Sequence, residues 1–344
     1  MIFHPLLLSA LVVDVLGMLF LWAAAFSAIG IVNGWSPESA TGTQILLERR
    51  AETVSIQGRA GALLLLSSTL VLVIGITGVL PKLVPGAMCG TGVLQATQGA
   101  GGRALAVRGL ALGLLAVWHL LDRLNRSQPD SPLATGAARA LLLAAPAVFL
   151  AVMDTLRAFL RLDPHRPVDC CSVIYDQVRS ATQAGSVSGI PDAYWIWGLV
   201  LGGAVVVFLG ATLWRSRRQP GVRRAGLCSV ATLLWIPVAA TALVRSLAAY
   251  HYGVLQHRCP WCLFLPEHRL VGYLLFGALI LAGAEATATL VCSMAAARLP
   301  ALAKETLARS RAAGRRLAAA AVLFLALSGV PPILWRLRFG VWMG

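Results

Sequence analysis

The 344-residue chain is poor in charge: 12% of its residues are charged, 58% are hydrophobic, and the mean hydropathy is +0.76. Soluble domains carry about 25% charged residues, so the pair of soluble domains that the length alone suggests is excluded. Lysine is nearly absent. Of 29 basic residues only Lys82 and Lys304 are lysine, and 14 acidic residues leave a net charge of +15. A basic excess of that size can signal nucleic acid, but these arginines fall mainly in short loops between apolar runs, where they orient helices. Nucleic-acid binding is therefore set aside. Seven cysteines are too few for a disulfide scaffold of this length, so their placement carries more than their number. No repeat with a period of about 20 to 50 residues is visible.

What the chain has in abundance is apolar runs, at 5–31, 60–80, 104–122, 134–158, 193–214, 226–249, 270–297 and 317–335. A helix of about 20 residues crosses the hydrocarbon. The expected fold is therefore all-α, a polytopic integral membrane protein of about eight spans in contact with membrane lipid. Residues 1–133 would form an N-terminal three-helix region and 134–297 a four-helix bundle. A basic loop and the last helix would follow over 298–344. Met1-Ile2-Phe3-His4-Pro5 precedes the first run without a basic residue, which predicts a retained helix with its N-terminus outside. Alternation then gathers Arg49, Arg50, Arg59, Arg123 and Arg126 on one side with the arginine-dense stretches 215–224 and 298–316. That side reads as cytoplasmic, in a bacterial inner membrane. Residues 40–58 mix Ile45, Leu46, Val54 and Ile56 with charges and predict an amphipathic helix on the inner surface.

On this map Cys89, Cys170, Cys171, Cys259 and Cys262 all face outward, whereas Cys228 and Cys292 lie near the inner ends of two helices. The sharpest motif is His257-Arg258-Cys259-Pro260-Trp261-Cys262, a C-P-W-C just before an apolar run. Two cysteines at i and i+3 at a helix start can form a short-loop disulfide, and the helix dipole with Arg258 would favour thiolate. That is thiol–disulfide exchange chemistry. The same spacing serves half a zinc site completed by Cys170, Cys171 or His257, and it also serves a static disulfide. Exchange is the preferred reading, and no metal is assigned. Adjacent Cys170 and Cys171 rarely bond each other because the ring is strained, so one should pair elsewhere, with Cys89 the external candidate. Five outward cysteines cannot all pair, and an odd number suits a relay. Leu263 follows Cys262 where covalent c-type haem needs histidine. His119 maps to the inner side, opposite His4, His165, His251, His257 and His268, so no b-type haem is expected to span them.

The segment Ala249 to Phe264, containing the C-P-W-C and flanked by two apolar runs, resembles the active-site hairpin of disulfide bond formation protein B and of vitamin K epoxide reductase homologues. In those families a membrane-edge CxxC passes electrons to a quinone. The order of helices and cysteine loop over 134–297 resembles the second more closely. The resemblance implies that Cys259 and Cys262 are the quinone-side pair, that Cys170 or Cys171 is the loop shuttle, and that the client is a periplasmic thiol protein such as a thioredoxin-like one. Trp261, Phe264, His268 and Arg269 are the candidate quinone contacts. The chain departs from the pattern at Pro266, where the first family has arginine, and at the adjacent rather than spaced loop cysteines. The three leading helices and the trailing one belong to neither family.

Charges inside the spans cost several kcal/mol unless paired or wet. Asp14 and Arg245 are read as a buried ion pair or the lining of a quinone or proton path. Arg108 and Asp154 lie near span ends and are expected to snorkel. The competing function is a non-enzymatic membrane subunit, anchoring a respiratory or cytochrome complex, whose outer cysteines are staples or a metal site.

Overall fold

The computed structural model describes residues 4–39, 41–163, 168, 191–254 and 257–342. Among them there is no strand, and eight helical stretches are long and apolar enough to cross a membrane: 5–34, 42–82, 100–125, 134–161, 192–214, 222–252, 271–298 and 300–339. The chain is a polytopic all-α membrane protein. Its helices expose Phe26, Leu63, Leu143, Phe208, Leu234 and Ile280, as surfaces in contact with lipid require. Two compact units divide it, Met1–Val168 and Asp169–Gly344.

In the first unit α1 (Pro5–Gly34) opens on Pro5, whose missing N–H costs nothing in the first turn, and His4 Nδ1 caps it by accepting from the Leu6 amide at 3.3 Å. α2 (Gly42–Ile74) is capped by Thr41, and a π-helical turn, Gly75–Val79, extends it. From Gly42 on, the amphipathic stretch is thus the start of a spanning helix and not a separate surface helix. A short α3 (Gly90–Ala96) precedes α4 (Ala100–Asn125) and α5 (Ala134–Arg161). α1 packs on α2 and α5, and α4 on α5 and α2, closing a ring around Leu21, Leu65, Ala111, Leu115, Leu141 and Val148.

Charge also crosses that ring. Arg108 is 1% exposed, and its guanidinium holds both carboxylate oxygens of Asp14. The same group donates to Ser68 at 2.9 Å and Thr155 at 2.7 Å, so each long helix of the unit contributes a residue. Arg108 therefore does not snorkel, because its counter-charge sits in the core with it. Asp154 accepts from Arg103 at 2.8 Å and Arg157 at 3.3 Å. Asp14 and Arg245 do not choose each other. Each takes a partner inside its own unit, Arg245 finding Asp192 at 2.7 Å.

The second unit comprises α6 (Asp192–Trp214), α7 (Val222–Ala242) with its π turn Leu243–Leu247, the short α8 (Ala248–Tyr252), α9 (Val271–Arg298) and α10 (Ala303–Phe339). α6, α7, α9 and α10 also close a ring, around Val206, Trp235, Leu275, Ala282, Leu317 and Phe324. α10 meets α6 where Gly210 and Gly314 bring their backbones together, a Cβ on Gly314 reaching within 2.6 Å of the Gly210 carbonyl. The packing thus divides the chain differently from the 134–297 grouping: α5 closes the first ring, and α10 closes the ring that carries the C-P-W-C. The basic stretch 304–316 is helix, not loop, and Arg309 and Arg316 reach back to buried Glu285 at 2.6 and 2.8 Å.

The two units repeat one element order. In each, a π turn follows the second long helix, continued in the second unit by α8, and a cysteine, Cys89 or Cys259, then stands at the N-cap position of a short helical turn before the third long helix begins.

Candidate functional site

The C-P-W-C lies between the end of α8 and the start of α9. Gly253, at φ 67°, ends α8 in left-handed backbone that favours glycine. Cys259 is extended and caps a 3₁₀ turn, Pro260–Phe264; Leu265 is extended again, and a second 3₁₀ turn spans Pro266–His268. Arg269 and Leu270 follow at φ 59° and 55°, and only then does α9 start, at Val271. The cysteines are therefore not on the first turn of the spanning helix. The macrodipole expected to favour a thiolate belongs to a helix that begins nine residues after Cys262.

The sulfurs of Cys259 and Cys262 lie within 4.8 Å of one another. Both residues are buried, Cys259 at 2% and Cys262 at 7% exposure. The turn is seated on α9 at Gly272, where a Cβ would come within 2.9 Å of the Leu263 carbonyl carbon and the Phe264 ring. That seat builds an aromatic group. Phe264 stacks on Phe276 at 5.4 Å, meets Tyr273 edge-on at 4.9 Å, and lies 5.5 Å from Trp261.

A second group forms around Tyr252, whose hydroxyl donates to the Cys259 carbonyl. His257 and His268 both approach the Tyr252 ring edge-on at 4.6 Å. Burial pushes the His257 imidazole below its ordinary value. Burial, followed by the nearby His257, does the same to His268 against an upward pull from Glu267. Arg258 lies 3.7 Å from Asp192, which also binds Arg245, so its charge is shared with a carboxylate rather than reserved for a thiol.

Of the residues singled out from sequence, the second unit gathers Cys259, Cys262, Trp261, Phe264 and His268 in one region. Arg269 is exposed in left-handed backbone, outside both the aromatic and the histidine group. Cys89 is buried at the cap of α3. Cys170 and Cys171 lie outside the described residues. Cys228 and Cys292 are buried in the α7 and α9 cores. Sequence reading missed Tyr252, Tyr273, Phe276 and Gly272. The first three stand at positions where aromatics are ordinary membrane-helix content, and only the Pro260 to Pro266 spacing hinted that the turn needs a glycine seat.

Fold and site together define a multi-pass membrane protein of two units, each with four long helices among the described residues, and a close, buried cysteine pair on a turn in the second. Compared with protein-family models, curated proteins and solved structures, the chain matches none.

Proposed function

We propose that the protein is a membrane thiol–disulfide oxidoreductase of the periplasmic face of a bacterial inner membrane, with its N-terminus outside. The observation that carries this reading is the approach of the Cys259 and Cys262 sulfurs within 4.8 Å on a turn between an aromatic group and a histidine–tyrosine group. Exchange proceeds by thiolate attack on a disulfide through a mixed disulfide, and a second thiol must lie within reach to resolve it. The Cys259–Cys262 pair meets that requirement.

In the proposed direction a periplasmic thiol protein, thioredoxin-like in chemistry, delivers a thiol pair to a disulfide shared with Cys170 or Cys171. The reduced loop cysteine then attacks the Cys259–Cys262 disulfide at Cys259. That attack forms a mixed disulfide with Cys259 and expels Cys262 as a thiol; the second thiol of the loop disulfide, freed by the client, then attacks the loop sulfur, so that the loop disulfide re-forms and Cys259 also leaves as a thiol, two electrons and two protons having been transferred to the C-P-W-C pair. A quinone, for which Trp261 and Phe264 offer flat apolar faces and His268 a hydrogen-bonding group, would supply the two-electron, two-proton acceptor. Tyr252 holds the Cys259 backbone, and His257 and His268, kept neutral by burial near pH 7, can accept thiol protons.

The burial of both sulfurs favours a second reading, a staple in a non-enzymatic subunit of a respiratory or cytochrome complex. Thiol trapping in native membranes separates the two. An exchanging pair gives a mixture of states that becomes more reduced when quinone is depleted. A pair whose state is the same with and without quinone is a staple.

A further inference from the structure

The first unit contains a cavity of about 420 Å³ at the end of the ring where α1 and α4 finish and α2 and α5 begin. The arginine pattern assigns this end to the cytoplasm. Small organic ligands occupy cavities of about 300 to 1,000 Å³ lined by apolar walls and a few placed polar groups. Here the walls are Trp35, just past α1, Trp118 on α4, and the alanines that open α5. The alanines are the reason that space remains, because larger residues at those positions would fill the ring. Trp118 is 1% exposed and lies over Gly58, where a Cβ would come within 2.4 Å of its ring.

The charged residues of the lining, Glu48, Glu52, Asp122 and Arg126, are net acidic in a chain of net charge +15, with Asn125, Gln128 and Ser131 as neutral polar neighbours. Asp122 is already satisfied: Ser55 donates to it at 2.8 Å, Arg59 pairs with it at 2.7 Å and Arg126 at 3.5 Å. Arg126, the one basic residue of the lining, is thereby engaged as well. Glu48 and Glu52, one turn apart on α2, are in no ion pair among the described residues. The Trp35 Nε1 is buried and has no acceptor among them. Glu48 accepts a hydrogen bond from Gln44 Nε2 at 3.2 Å and keeps its charge, so two carboxylates beside two indoles attract a cation twice, by charge and through the ring faces.

We propose that this cavity binds an amphipathic organic cation, its apolar body against the alanines and indoles and its cationic head toward Glu48 and Glu52. The two carboxylates repel an anion, and a bare metal ion would leave the apolar walls unused. The site is independent of the cysteine chemistry.

The test uses the full chain in lipid nanodiscs and calorimetric titration with benzyltrimethylammonium, whose charge is permanent, against neutral benzyl alcohol and anionic phenylacetate. The cation should saturate one site with a Kd at least tenfold below that of benzyl alcohol, and phenylacetate should not bind. Glu48→Gln/Glu52→Gln, at exposed positions that the fold does not need charged, should weaken the cation at least fivefold and leave benzyl alcohol unchanged. Ala51→Trp, which fills the cavity from its half-buried wall, should abolish binding with the unfolding temperature retained. Equal affinities for cation and alcohol, binding that never saturates, or a double glutamine variant that binds as tightly as the parent would each overturn the proposal.

Discussion

Replacing Asp14 by Asn should destabilise the first unit by about 3–5 kcal/mol, the cost of breaking a buried ion pair from one side. Asn preserves the volume of the side chain, so no cavity is opened and the loss is electrostatic. Arg108 then keeps its charge in the core without a counter-ion, since a guanidinium cannot shed its proton. Its hydroxyl acceptors survive, Ser68 at 2.9 Å, Thr69 at 3.3 Å and Thr155 at 2.7 Å, which places the expected loss toward the lower end. Arg108→Met should cost less than Asp14→Asn, because an orphaned carboxyl can bind a proton and become neutral. The double variant should be more stable than the sum of the single losses allows, by about 1–3 kcal/mol of coupling. Thermal unfolding in mild detergent measures all of this. With about 2–4 °C per kcal/mol for a unit of this size, Asp14→Asn should lower Tm by roughly 6–20 °C. A shift within about 2 °C, or strictly additive losses in the double variant, would refute the argument that this pair holds the ring together.

Three further outcomes are expected. Cys262→Ser should accumulate a mixed disulfide between Cys259 and Cys170 or Cys171, read by mass spectrometry, because the resolving thiol is gone; recovery of no such cross-link argues for the staple. Gly272→Ala should cost about 1–3 kcal/mol and slow alkylation kinetics at Cys262 should change with it, since the new Cβ meets Leu263 and Phe264 at 2.9 Å and the turn must lift; an unchanged Tm and alkylation rate would deny that seat. His257 and His268 are both held below their ordinary value of 6.5, so the unfolded chain binds protons more readily than the folded one. Their contribution to stability is therefore complete above about pH 6.5 and is lost as pH falls through the folded values, a loss that His257→Gln/His268→Gln should flatten in a Tm-versus-pH series.

The spans were legible because a membrane helix announces itself by length and composition. Seven of the eight apolar runs fall wholly inside helices and the eighth, 270–297, misses by its first residue, although α2 and α10 extend well beyond theirs into charged segments. The first extension was hidden because 40–58 reads as a surface helix of its own, and the second because Arg309 and Arg316 look like loop residues until their partner is known, Glu285 standing 24 residues before Arg309. Charge pairing was illegible for the same reason. Asp14 finds Arg108 across 94 residues, and nothing local distinguishes Arg108 from Arg245 as the partner. Grouping of the helices into rings failed to show because it depends on which small residues meet, such as Gly210 with Gly314, and glycine is common in every membrane helix.

The cysteine turn, in contrast, carried a signal in its own letters. Proline disfavours helical backbone in the residue before it, so Pro266 forces Leu265 out of any helix begun at Pro260, and Leu265 is indeed extended at φ −78° and ψ 149°. A helix starting at Pro260 had to stop by Phe264. Two prolines six residues apart thus separate the C-P-W-C from α9 and remove the long-helix dipole from its chemistry. Arg258, next to Cys259 in the chain, is a positive charge that would favour a thiolate, and Asp192 competes for it at 3.7 Å. It follows that Asp192→Asn should release Arg258 toward the cysteines and raise the rate at which Cys259 or Cys262 is alkylated at neutral pH, with Arg258→Gln lowering it. The opposite order of rates would mean that Arg258 serves only to tie the loop to α6.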